Sequence, residues 1–149
     1  MQILHIVRSP TIWLISSSVF LAAACGVTGP SSSAVTIDMS VTAFTRLPTA
    51  QAVFTPFQLG NHDSVAVYVP GCGPHPVLAL QQLTSAGWQD IPPVSYCISA
   101  PVALMPGGVL VDSQACTQTG TLRLTVSYRT NPSGPTLFAT GPQFTVQLQ

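Results

Sequence analysis

From Val35 onward apolar and polar residues alternate one by one, and a repeat of two confines this chain to extended backbone. Val35, Ile37, Met39 and Val41 are apolar, with Thr36, Asp38, Ser40 and Thr42 between them. Leu122, Leu124, Val126 and Tyr128 alternate with Arg123, Thr125 and Ser127. Phe144, Val146 and Leu148 alternate with Thr145, Gln147 and Gln149. Each run predicts a strand that buries one face. The charged residues point the same way. Of 149 residues only 5% are charged; the four basic ones are all arginine and the four acidic ones all aspartate. Lysine and glutamate, strong helix formers on solvated surfaces, are absent, while Thr, Val, Ser, Gln and Pro are plentiful.

Weaker strands are predicted over 52–59, 65–69, 77–83 and 109–112, with a further piece over 94–99. Gly- and Pro-rich clusters at 59–63, 70–74, 106–108 and 131–135 predict the turns between them. Short strands with frequent turns and no helical stripe predict an all-β fold. A single antiparallel β-sandwich over 35–149 is expected, with a barrel as the alternative. A formal net charge of +0 supplies no basic field, so no nucleic-acid partner is expected. The hydrophobic content of 46% is enough to build a core, which argues against disorder.

The first residues read as a targeting segment. His5 and Arg8 give a weakly positive start, and residues 11–24, TIWLISSSVFLAAA, are largely apolar. That stretch is shorter than the roughly 20 residues of a comfortable transmembrane helix and suits a signal-peptide core. LAAAC, at Leu21 to Cys25, is similar to the lipobox of bacterial lipoproteins. In that family a peptidase cuts before the cysteine, whose thiol receives a diacylglycerol. The resemblance implies a signal peptide over 1–24, lipidation of Cys25 and a flexible tether over 25–34, rich in Gly, Ser and Pro. Gly26, in place of an aspartate, implies the outer membrane by the family's sorting rule. The export reading expects the periplasmic face of that membrane or the cell surface, with the bilayer as a partner through the lipid. An ordinary secretory cut at the alanine run and an uncleaved anchor are the alternatives.

With Cys25 lipidated, Cys72, Cys97 and Cys116 remain. An exported chain is expected to close one pair. Cys72 with Cys97 is the expected disulfide, and Cys97 with Cys116 competes. Closing the first loop stabilises by roughly 3 kcal/mol in the chain-entropy picture. A sharper alternative takes Cys72 and His75 as a C-x2-H pair completed by Cys97 and Cys116 around zinc, but export favours oxidation. No metal and no cofactor are expected.

Candidate chemistry is thin. In His62-Asp63 an aspartate sits beside an imidazole, an arrangement that needs a nucleophile to matter. No serine sits in a nucleophile elbow, no carboxylate pair suits glycoside hydrolysis, and no phosphate-cradling loop occurs. His75, between Pro74 and Pro76, reads as a rigid loop residue. Trp88, in SAGWQD, is placed in a turn after the strand ending near Leu83, either packed on the sandwich edge or exposed to a sugar or peptide. Arg123, on the polar face of its strand, is expected to pair with an aspartate across the sheet or to be solvated.

Residues 51–149 resemble the immunoglobulin-like domains of small bacterial envelope lipoproteins. Val67-Tyr68 before Cys72-Gly73, then Gly87-Trp88, Cys97, Pro106-Gly107 and Gly120-Thr121-Leu122-Arg123-Leu124 before Tyr128 carry the resemblance. It implies an immunoglobulin-like β-sandwich with neither an enzyme activity nor a fixed ligand. The expected role is therefore non-catalytic: a membrane-anchored envelope component that binds a protein or glycan partner or serves structurally. Trp88, His62 and His75 are the candidate contacts. A protease-inhibitor-like sandwich presenting the loop over 71–76 is the alternative, and a hydrolytic or metal-dependent enzyme a remoter one.

Overall fold

Where the sequence alternates, burial alternates with it. Leu122, Leu124, Val126 and Tyr128 are buried, and the polar residues between them are partly solvated. This computed structural model describes residues 34–93, Cys97 and residues 99–149. The expected signal peptide over 1–24, Cys25, nearly all of the expected tether, and the greater part of the strand piece expected over 94–99 lie outside the described residues.

The strands run in chain order as β1 (Val35–Asp38), β2 (Ala43–Arg46), β3 (Val53–Asn61), β4 (Val67–Val69), β5 (Gly71–Cys72) and β6 (His75–Pro76). They continue as β7 (Ala79–Thr84), β8 (Gly87–Ile91), β9 (Val102–Leu104), β10 (Val109–Cys116), β11 (Gly120–Tyr128) and β12 (Leu137–Leu148). No helix occurs among the described residues. One sheet has the order β1-β3-β10 and the other β2-β12-β11-β7-β8; β4 pairs with β9, and β5 with β6. The pairs are antiparallel, as expected, with β2–β12 the parallel exception. A single buried cluster draws Val35 and Ile37 from β1, Phe57 and Leu59 from β3, Leu80 from β7, and Leu122, Leu124, Phe144 and Val146 from β11 and β12. Two sheets sharing one apolar interior make the expected all-β sandwich, layered in the immunoglobulin-like way.

Local sequence explains the irregular points. Pro56 lies inside β3, but β1 covers that strand only from Gln58 to Asn61. Pro56 therefore sits where β3 is an edge on that side, as a residue without an N–H requires. β12 carries a bulge: Arg123 faces Gln143 and Thr125 faces Thr140, so β12 spends one residue more than β11 across Gly141 and Pro142. A Cβ on Gly141 would sit 3.0 Å from the Ile37 side chain, which makes this the place where β1 closes onto β12.

Several expectations need correction. The turn expected over 59–63 starts later, because β3 continues through Gly60 and Asn61. Asn61 is buried as a hub rather than exposed in a turn. Its Nδ2 donates to the carbonyls of Val65 and Leu104, each at 2.9 Å, and its Oδ1 accepts from the Asp63 N–H at 2.9 Å. Trp88 lies in strand β8, not in a turn; the turn is Ser85-Ala86, closed by the Thr84–Gly87 pair with Gly87 at φ +95°. β10 runs on to Cys116, β12 begins at Leu137, and β2 and β9 were not anticipated.

Candidate functional site

Two constructions on this scaffold gather functional side chains. The first is a hairpin inserted into a strand. Tyr68 and Arg129 exchange both backbone hydrogen bonds, at 2.8 and 3.0 Å, and Ala79 pairs with Thr125 further along β11. β11 advances four residues from Thr125 to Arg129, while the opposing chain takes eleven from Tyr68 to Ala79. Hence β4 and β7 act as two halves of one strand, and seven surplus residues between them loop out.

The excursion closes at its base through the Val77 N–H, which donates to the Pro70 carbonyl at 2.8 Å. Within it β5 and β6 pair Gly71 with Pro76 and Cys72 with His75, around Gly73 at φ +63°. Three further ties fix it. The expected Cys72–Cys97 disulfide is present, with Cα atoms 5.3 Å apart. Ser99 Oγ donates to the Gly71 carbonyl at 2.6 Å and accepts from the Gly73 N–H at 3.1 Å. His75 Nδ1 lies 2.8 Å from Asp112 Oδ2 on β10, linking the hairpin to the opposite sheet. Gly71 has no room for a side chain: a Cβ would sit 2.7 Å from the Ala100 carbonyl oxygen.

A cleft lies on each flank of the hairpin base. One, of about 530 Å³, is lined by Tyr68, Tyr128, Arg129 and Pro132. The other, of about 480 Å³, is lined by Pro76, Leu80, Ile91 and Phe138. Pro70, Cys97 and Ser127 border both. Arg129 is tied to its own loop, its Nε donating to Thr136 Oγ1 at 3.2 Å and one Nη to the Pro132 carbonyl at 3.0 Å.

The second construction lies on the outer face of the five-stranded sheet. Cross-strand partners share a face, so Gln143, Arg123, Gln81 and Asp90 form one row across β12, β11, β7 and β8. Arg123 Nε donates to Gln81 Oε1 at 2.7 Å, and Gln81 Nε2 donates to Asp90 Oδ1 at 2.7 Å. The Arg123 guanidinium also sits 4.1 Å from the centroid of the Trp88 ring. Arg123 does not pair with an aspartate across the sheet: Gln81 stands between it and Asp90 and takes both bonds. The half-buried Trp88 packs under a cation, worth roughly 0.5–1 kcal/mol at an exposed site. Gln81 and Asp90 were missed as site residues. The usable signal was the alternation of Trp88 and Asp90 with Gln89 and Ile91 after Gly87.

The histidines do not converge. His62 Nε2 lies 3.0 Å from Thr36 Oγ1, over Gly60 on the outer face of the three-stranded sheet. Asp63 turns away and accepts from the Ser64 N–H at 2.6 Å, so it does not orient the imidazole. Asp112, the partner of His75, shares the inner face with Phe57, so the two imidazoles attach to opposite faces of that sheet. Neither lines a cleft described above. The zinc set is not assembled either: Cys72 and Cys97 are bonded together, and Cys116 is buried against the Thr55 hydroxyl, 3.5 Å away. No group of three metal-ligating side chains occurs among the described residues. Burial pushes the Cys116 thiol above its ordinary value of 9.0, while its hydrogen bond with Thr55 pulls the other way.

No protein-family model and no curated protein matches the chain. Among solved structures it is similar to the ASH/PapD-like domain 7 of human CEP192, at 16% identity and a TM-score of 0.37. That alignment covers 100% of this chain and 95% of the other. The likeness carries no argument about ligand or partner, and the fold rests on the pairing and the core described above.

Proposed function

We propose that this chain is an exported lipoprotein whose β-sandwich works by binding rather than catalysis, moored to a bilayer through Cys25. The observation that carries the reading is the Cys72–Cys97 disulfide. Disulfides persist in oxidising compartments, which is where the LAAAC sequence at Leu21 to Cys25 would deliver the domain. His75 has Asp112 beside it, but His62 attaches to the opposite face of that sheet and neither imidazole lines a cleft, an arrangement that suits binding better than acid–base or nucleophilic catalysis. The outer membrane, at its periplasmic face or at the cell surface, is the destination that Gly26 favours. The test is fractionation of cells producing the full chain. The native protein should partition with membranes and into detergent, and the Cys25→Ala chain should not take up the lipid. Equal partitioning of the two into the soluble fraction defeats the reading.

A second reading is favoured by the stapled hairpin. Gly73, Pro74 and His75 are exposed at its tip, while the disulfide braces it at Cys72 just below the turn and the Val77–Pro70 bond holds its base. A rigid exposed loop of this kind suits insertion into a protease cleft, with little ordering cost on binding. Absence of inhibition across serine, cysteine and metalloprotease panels would eliminate it.

A further inference from the structure

We propose that the outer face of the five-stranded sheet is a glycan-binding surface, with Arg123 and Asp90 as its contact residues and Gln81 and Trp88 as the residues that position them. The proposal deepens the binding role above by naming a ligand class. It rests on what this face offers and what it lacks.

The face offers planar hydrogen-bonding groups in a fixed arrangement. Gln81 holds Arg123 Nε on one side and Asp90 Oδ1 on the other, both at 2.7 Å. The guanidinium rests over the Trp88 ring, 4.1 Å from its centroid. The guanidinium has five N–H donors, and one is spent on Gln81. Asp90 keeps its second carboxylate oxygen for a donor outside the row. A donor fork beside an acceptor is complementary to neighbouring sugar hydroxyls, each of which both donates and accepts. Locking the side chains in advance removes part of the ordering cost of binding. Around this row the same face carries Thr121, Thr125, Thr140 and Thr145. The strands are spaced by about 4.8 Å, so the row from Gln143 to Asp90 offers contact points along a line rather than in a pit. An extended chain of sugars fits such a line.

The row through Arg123 lacks what other partners need. Protein interfaces are anchored by buried aromatic and aliphatic side chains. Here the exposed large apolar residues are Leu83 and Phe138, on separate rows from Arg123. Arg123 is the one cation on the rows from Phe138–Ser127 to Thr145–Thr121, which is too little for nucleic acid or an anionic bilayer.

The experiment is a titration of the full chain in detergent with two neutral probes, the β-1,4-linked trimer of N-acetylglucosamine and cellotriose. It is followed by the NMR resonances of the Trp88 indole N–H and the Gln81 side-chain amide. At least one probe should shift both resonances saturably at millimolar concentration. Arg123→Ala should weaken binding by about tenfold or more, as expected for losing a charged donor. Gln81→Ala should weaken it less, and Gln81→Glu should retain the Arg123 contact while repelling Asp90. Thermal melts of each variant separate a folding defect from lost binding. Asp90→Asn, which keeps the shape of the row, provides a second probe should Arg123→Ala fail to fold. No shift with either probe, or native-like affinity in folded Arg123→Ala, overturns the proposal. The Cys25→Ala chain should bind the probes as the native chain does, so failure here is distinguishable from failure of the anchored-lipoprotein reading.

Discussion

At the scale of single residues, the buried polar positions do most to specify this fold. Asn61 would be expensive inside an apolar core without partners, and its side chain meets all of its needs there. It joins the end of β3 to the loop at Val65 and to the end of β9. Asn61→Ala strands two carbonyls at once, so we expect a loss of about 2–3 kcal/mol in urea unfolding. An unchanged unfolding midpoint would contradict the hub role. Cys116 gives a pH signature. Its buried thiol holds its proton to higher pH when folded than when unfolded. Its contribution to stability is therefore complete below the unfolded thiol's ordinary value of 9.0 and falls as pH rises through it. Urea melts at neutral pH and at about pH 10 should show the decline, and Cys116→Ala should flatten it. In the native state Cys116 should also resist aromatic disulfide reagents that label it after unfolding.

At the scale of elements, the hairpin over 70–77 shows what a short motif can add to a sheet. It interrupts a strand, leans on the opposite sheet through His75 and Asp112, and depends on its disulfide. Replacing Cys72 and Cys97 together by serine should cost roughly 3 kcal/mol and raise hydrogen exchange at Val77. Unaltered exchange there would mean that the base bond holds the hairpin without the staple.

Elements also divide into those the sequence displays and those it hides. β1, β11 and the last part of β12 were legible because each buries every second side chain. The first half of β12 was hidden by its bulge, which puts Pro142 and Gln143 consecutively on the exposed side and breaks the repeat. β2 and β8 are short and contain no fully buried residue, so their alternation is too weak to stand out. Gly60-Asn61 read as a turn because those residue types usually make one, and only tertiary context shows Asn61 answering buried carbonyls. In the candidate site, the Cys72–Cys97 pair was legible, and Trp88 stood out as an aromatic although its strand did not. The row through Gln81 was not, because it exists only once β7, β8 and β11 lie side by side.

At the scale of the whole molecule, the sandwich carries few charges on a largely neutral surface of Thr, Ser and Gln. Its three-stranded sheet exposes Phe54, Val109 and Val111, at 67, 61 and 69%. Such a surface has little charge to keep free copies apart. Mooring at a membrane and projection on a Gly/Ser tether suit a domain of this kind. The account stands or falls on what chemistry sits at the amino end of the mature chain. Intact mass spectrometry of the protein purified from membranes without reductant tests it most directly. The account predicts a chain that begins at Cys25, carries diacylglyceryl mass on that residue, and is lighter by two hydrogens for the bond between Cys72 and Cys97. A mature chain with no acyl mass at its amino terminus, or with three free thiols, would contradict it.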